Sequence, residues 1–164
     1  MSIPSLIERD ELITLLPHKG KMFLLSRLTD YDLEKRSLAA EYDITGDCIF
    51  YDPDLGGIPS WVSFELMAQS ISALSGLSDR ELGEEPKPGF ILSVSALELA
   101  VPVLKAGTTV RIRIAENVKI DAVFTFECTV FQGEEPAAQA KVTVMDVRDL
   151  SLFDKEELSL FDKE

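Results

Sequence analysis

LGGIPSWVSFELMAQSISALSGLS, residues 55–78, is the stretch that decides the fold. It lies between Asp54 and Asp79, and the only one of its 24 residues that carries a charge is Glu65. From Ser60 onward it reads as one long helix, apolar nearly all round, and such a helix needs covering on more than one side. The Ser60 hydroxyl is placed to cap free N–H groups at its start, and Gly76 marks its expected end. A carboxylate within a buried helix is costly unless paired, hydrogen-bonded or protonated. Burial also raises its pKa, which makes a carboxyl group a usable acid or base near neutral pH. A position at the helix edge, or a bond to a backbone group, would satisfy Glu65 without any function.

The flanks supply the cover. Residues 8–16 read as a short amphipathic helix that Pro17 ends, because the residue before a proline is pushed out of helical geometry. Residues 22–31 and 37–44 read as strands, and a loop rich in Asp, Gly and Pro follows from Gly46 to Pro59. Residues 79–89 form a charged linker. Four β-rich segments come next, at 90–101, 108–118, 122–132 and 137–147, with plain alternation in VRIRI (110–114), FTFECTVF (124–131) and KVTVMDV (141–147). Gly133 to Pro136 mark a hairpin turn between the last two. The order predicts an α+β fold, an antiparallel sheet wrapped around the long helix. A second subunit could complete the cover.

The expected organisation is one domain over 1–148 and a tail over 149–164. The tail carries LSLFDKE twice, at 150–156 and 158–164. That repeat is too short for a solenoid unit. It reads as a duplication in a tolerant chain end, as a linear docking motif with Leu and Phe anchors, or as a peptide resembling those that bind the bacterial replication clamp, without their usual leading Gln.

Composition narrows the partners. The formal net charge is −13, from 16 basic and 29 acidic residues, which argues against nucleic acid or an anionic membrane. Residues 55–78 come closest to a membrane span, but Gly, Pro, Ser and Glu interrupt them. The N-terminal residues show no signal-peptide pattern. Cys48 and Cys128 have neither metal nor redox spacing and read as free thiols in the cytoplasm. Neither a phosphate-binding glycine loop nor a set of metal ligands is present, so no metal and no cofactor is expected.

YDPDLGGIPSWVSFELMAQ (51–69) and LLPHKGKMFLLSRL (15–28) resemble the signature segments of the hot-dog-fold (3R)-hydroxyacyl-acyl-carrier-protein dehydratases. Pro53, Pro59, Glu65, Met67, Ala68 and Gln69 fall where that signature would put them. GIPSWVSFELMAQ, LSG (74–76) and GEEPKPGFIL (83–92) bring the likeness closest to the dehydratase-like proteins of aryl polyene clusters. The resemblance implies the hot-dog fold, a dimer, and 3-hydroxyacyl thioesters on acyl carrier protein or coenzyme A as substrates. It implies that Glu65 protonates the departing hydroxyl. The family's loop histidine, which takes the α-proton, lies fourteen residues before that acid, and here the position is Tyr51. A tyrosine, with an ordinary pKa of about 10, is a poor base at neutral pH.

Other residues are candidates for the missing role. His18, the one histidine of the chain, reads as a base or binding group, or as a turn or core histidine bonded to backbone. Tyr51 could hold a substrate hydroxyl or merely pack. Asp52 and Asp54 could reach the site from the loop or stay solvated. Gln69, one turn after Glu65 on the same face, reads as a substrate-binding residue able to orient the carboxyl, or as an ordinary amide. Gly56 and Gly57, beside the helix start, could present N–H groups to a thioester carbonyl or serve as turn glycines. Trp61, Phe64 and Met67 read as core rather than as channel lining. Three functions follow: a dehydratase, a non-catalytic hot-dog subunit that pairs with an active dehydratase in a heterodimer, and a thioesterase using Glu65 alone to activate water.

Overall fold

A computed structural model describes residues 6–86 and 89–146. The duplicated tail segment lies outside the described residues. Strand β1 (Ile7–Glu8), helix α1 (Arg9–Leu12), β2 (Arg27–Asp32) and β3 (Ser37–Asp43) open the chain. Short β4 (Gly57–Pro59) leads into the long helix α2 (Ser63–Glu81). Strands β5 (Gly89–Leu99), β6 (Val103–Lys105), β7 (Thr109–Ile120), β8 (Val123–Gln132) and β9 (Glu135–Asp146) follow. Seven strands form one sheet in the order β1-β2-β3-β7-β8-β9-β5, every pairing antiparallel, while β4 and β6 make a small ladder of their own.

Alternation explains the wrap. Val110, Ile112 and Ile114 of β7 are buried while Thr109, Arg111 and Arg113 between them are exposed, the period-2 pattern of a sheet with one covered face. Leu38, Ala40 and Tyr42 of β3, and Phe126, Cys128 and Val130 of β8, continue that covered face. α2 packs across β3, β7, β8 and β9, burying Leu66, Met67, Ser70, Ala73, Leu74 and Leu77. Each large apolar side chain so removed from water contributes about 1.5–3 kcal/mol.

The helical turns begin at Ser60, as expected, but the expected cap and the expected end are not found. Ser60 sits buried in a 3-10 turn, Ser60–Val62, and no side chain caps either helix start. Gly76 does not end α2 but lies inside it, where a Cβ would come within 1.9 Å of the Leu15 carbonyl oxygen. The helix therefore runs on through Asp79 and Arg80, residues expected in a linker. It stops in a Schellman motif: Gly83, at φ 73°, donates its N–H to Arg80 O, and Glu84 donates to Asp79 O.

The first expected strand also shrinks. Ladder pairing begins only at Arg27, after a 3-10 turn at Gly20–Met22. Between them the carbonyls of residues 23–25 and the Leu24 N–H bond to side chains. The Arg9 guanidinium donates to the carbonyls of Phe23, Leu24 and Leu25, and Gln69 Oε1 accepts the Leu24 N–H. The short helix at 8–16 is an α-turn followed by a 3-10 turn, Ile13–Leu15, and Leu16 is extended before Pro17, as expected.

Two solution properties follow. Cys128 is 2 % exposed, and burial pushes its thiol up to about 12, whereas Cys48 is half-buried. A thiol reagent at pH 8 is expected to modify native Cys48 and to reach Cys128 only after unfolding; equal rates would contradict this packing. At the β2–β3 edge, Arg27 donates to Glu41 and to both oxygens of Asp43. The guanidinium, aided by Thr109, holds the Asp43 carboxyl below its ordinary range. Stability from a lowered carboxylate is present above the unfolded pKa and lost as pH falls through the folded one. Asp43 is 42 % exposed, so the contribution is at most about 1 kcal/mol. The melting-temperature gap between wild type and Asp43→Asn is expected at pH 7 and should shrink as pH falls below the ordinary aspartate pKa of about 3.9.

Candidate active site

Glu65 lies in the first α-helical turn of α2, three-quarters buried. Its Oε1 accepts a hydrogen bond from Gln69 Nε2 at 2.9 Å and faces His18 Nε2 at 3.5 Å. Gln69 has no exposed surface. Its Oε1 accepts the Leu24 N–H at 2.9 Å, which fixes the orientation of the amide, and its Nε2 also donates to Met22 O at 2.7 Å. One buried amide thus holds the catalytic carboxyl candidate and ties the 22–24 segment to the helix. Lys19 anchors the other end of the same loop by donating to Ile13 O and Leu16 O, carbonyls left open where the helical turns stop. His18, next to Lys19 in the chain, is 26 % exposed.

Glu65 and His18 line one cavity of about 250 Å³. Glu65, Ala68, Ser72, Ser75 and Asp79 of α2 form one wall, at the three- and four-residue spacing that keeps them on one helix face. Phe124 and Phe126 of β8 and Ile91 of β5 face them. Arg36, from the β2–β3 turn, lies at the end opposite Glu65. The stripe of small residues in LMAQSISALSGLSD leaves the room, and its spacing is a signal the sequence carries. Arg36 and the two phenylalanines carry none, because only tertiary packing brings them there.

The remaining candidates lie elsewhere. Tyr51 is half-buried against the core, its N–H bonded to Cys48 O, and it does not line the cavity. Gly56 donates its N–H to Asp52 O within a turn. Gly57 pairs with Lys105, and a Cβ there would sit 2.1 Å from Leu104 O. Close packing of β4 on β6 therefore accounts for that glycine, and neither glycine lines the cavity. Asp54 is exposed and Asp52 accepts the N–H of Asp54 in an Asx turn. Met67 is core, but Trp61 is 55 % exposed and packs edge-on against Phe50.

An imidazole beside a carboxyl group is an acid–base pair: one group can accept a proton while the other delivers one. Set at one end of a mostly apolar cavity, such a pair suits chemistry on a chain that is polar at one end only. Long central helix, enclosing antiparallel sheet and this site define a hot-dog protein. The family model described as ApeP dehydratase, of the ApeP-like family, matches residues 11–155, and the chain belongs to that family. Among curated proteins, the 3-hydroxyacyl-[acyl-carrier-protein] dehydratase FabZ of Chlamydia pneumoniae is 34% identical over 80 residues, 47% of this chain and 52% of that protein. The FabZ of Chlamydia caviae is 33% identical over 109 residues, 55% of this chain and 71% of that protein. The chain thus spans about half the length of the first of these relatives.

Solved structures share the fold. The dehydratase heterocomplex ApeI:P from Xenorhabdus doucetiae matches with TM-score 0.78 at 20% identity, over 100% of both chains. A sigma28-regulated virulence protein of Campylobacter jejuni matches with TM-score 0.62 at 12% identity, over 84% of this chain and 88% of that one. The PaaI protein of the E. coli phenylacetic acid degradation operon matches with TM-score 0.56 at 8% identity, over 73% of this chain and 81% of that one.

Proposed function

We propose that this protein removes water from 3-hydroxyacyl groups carried as thioesters on an acyl carrier protein or coenzyme A. The observation that supports this most is the contact of Glu65 with His18 at the cavity that runs along α2. Family membership and the FabZ likeness supply the reaction class. The acyl chain lies along α2, and its thioester end meets the two side chains. His18 Nε2 takes the α-proton. Glu65 delivers its proton to the 3-hydroxyl as the carbon–oxygen bond breaks, giving the enoyl thioester and water. His18 is then protonated and Glu65 ionised, and a proton passing between them restores the starting state. Both contacts to Glu65 described above fall on Oε1, so Oε2 is the oxygen assigned to the hydroxyl. His18 thus takes the part that Tyr51 cannot play.

Assembly follows from the sheet edge. β5 is one of the two edge strands, and its Ile91, Leu92, Val94, Leu97 and Leu99 are 37–49 % exposed. A second hot-dog subunit, identical or different, would cover them. Among the described residues no helix is long and apolar enough to cross a membrane. Two free cysteines fit a cytoplasmic setting.

The test is product analysis. The purified protein is incubated with a 3-hydroxyacyl thioester, and the products are identified. Enoyl thioester supports the reading. Free thiol in its place would make the protein a thioesterase. Absence of both, with enoyl product forming faster only when a partner dehydratase is added, would make it a non-catalytic subunit.

A further inference from the structure

The end of the cavity away from Glu65 is built differently from its middle. Along α2 the wall runs from Glu65 to Asp79, about 21 Å at the rise of an α-helix. Its middle is apolar, with Ile71, Phe126 and Val144. Its far end is polar and rigid. Arg36 lies in the β2–β3 turn at φ 56°, the left-handed region, and its backbone carbonyl accepts the Glu116 N–H at 2.9 Å. Its side chain then crosses to the helix. Nε donates to Glu116 Oε2 at 3.0 Å, Nη1 donates to Ser78 Oγ at 2.8 Å, and the guanidinium stands 5.5 Å from the centre of the Phe124 ring. A guanidinium bonded to a mostly buried carboxylate does not swing aside without leaving that charge unpaired. An apolar chain end pushed against it would strip water from the cation and return no hydrogen bond.

The geometry points to Arg36 as the residue that sets the length of acyl chain the cavity accepts; this rests on the cavity being the acyl-thioester site. Chains that end among Ile71 and the phenylalanines gain affinity with each added methylene, and chains that reach Arg36 lose it. Ser75, on the facing helix wall, leaves space that a larger side chain would fill.

The test is binding, measured without turnover. Pantetheine thioethers with saturated alkyl chains of increasing length are titrated by calorimetry into wild type, Arg36→Ala and Ser75→Leu. In wild type, affinity should rise with length and then fall. Arg36→Ala should move the fall to longer chains and improve the affinity of the first excluded chain roughly tenfold, the worth of about two buried methylenes. Ser75→Leu should move the fall to shorter chains, as expected if the chain passes Ser75 on its way to Arg36. If Arg36→Ala does not fold, Arg36→Gln, whose amide can still donate to Glu116, is titrated in its place and should move the fall to longer chains. A limit that does not move when Arg36 is replaced, or affinity that never depends on chain length, would overturn the assignment. Enoyl formation with an unmoved limit would sink this inference alone. A limit that moves in a protein that makes no enoyl product would sink the dehydratase reading alone.

Discussion

Glu65→Gln is expected to lower the rate of enoyl formation by roughly 10²–10⁴-fold, the usual worth of a positioned general acid. The change is nearly isosteric. An amide oxygen can still accept the Gln69 N–H that now meets Oε1 at 2.9 Å, so the 22–24 segment stays tied to α2. What is lost is the proton for the leaving hydroxyl. Thermal unfolding should shift little, because the amide keeps the size of the side chain and its bond to Gln69. Alkyl thioether binding should survive, since the apolar part of the cavity is untouched. A variant that keeps more than a tenth of the wild-type rate would remove Glu65 from the mechanism. Loss of folding together with activity would show instead that the carboxyl group holds the helix in place.

Gly76→Ala carries the largest expected effect on stability. The added Cβ would come within 1.9 Å of Leu15 O, 2.8 Å of Leu15 C and 3.0 Å of Leu15 Cβ. Backbone cannot rotate away as a side chain can, so the 3-10 turn Ile13–Leu15 must lift off α2. That turn precedes Pro17 and His18, so the strain also reaches the site. Overpacking of this kind costs about 3 kcal/mol or more, a large part of the total stability of a domain. The expected drop in melting temperature is roughly 10 °C, with loss of activity at temperatures where the variant is still folded. Gly83→Ala is the comparison. Gly83 also sits at positive φ, 73°, but a Cβ there meets nothing within 4 Å, so the cost is backbone strain of about 1 kcal/mol. Equal losses in the two variants would refute the close approach at Gly76.

The same glycine shows where the sequence stops being legible. Helix α2 could be read from one long apolar run with a single charge, and β7 from the alternation of Val110, Ile112 and Ile114. Gly76 looked like a stop because glycine usually punctuates a helix; the Leu15 carbonyl that requires it comes from a distant segment. Residues 22–25 read as strand because they are apolar, yet their carbonyls and the Leu24 N–H bond to the side chains of Arg9 and Gln69. Local periodicity holds no trace of such pairings. Within the site, Glu65 was legible as a lone charge and Gln69 from its spacing of four. The closeness of His18 to Glu65 was not, since it depends on where Lys19 and Gln69 pin the loop. Arg36 was invisible in the charged run of a turn. Its place in the cavity depends on Glu116, Phe124 and Ser78, which come from three other elements.

A structure with a 3-hydroxyacyl pantetheine thioether bound tests the central claim most directly. The predicted complex has the α-carbon within reach of His18 Nε2, the 3-hydroxyl on the Glu65 carboxyl, and the alkyl chain running along Ala68 and Ser72 toward Arg36. A ligand bound elsewhere, or seated in the cavity with its hydroxyl turned away from Glu65, would contradict the account.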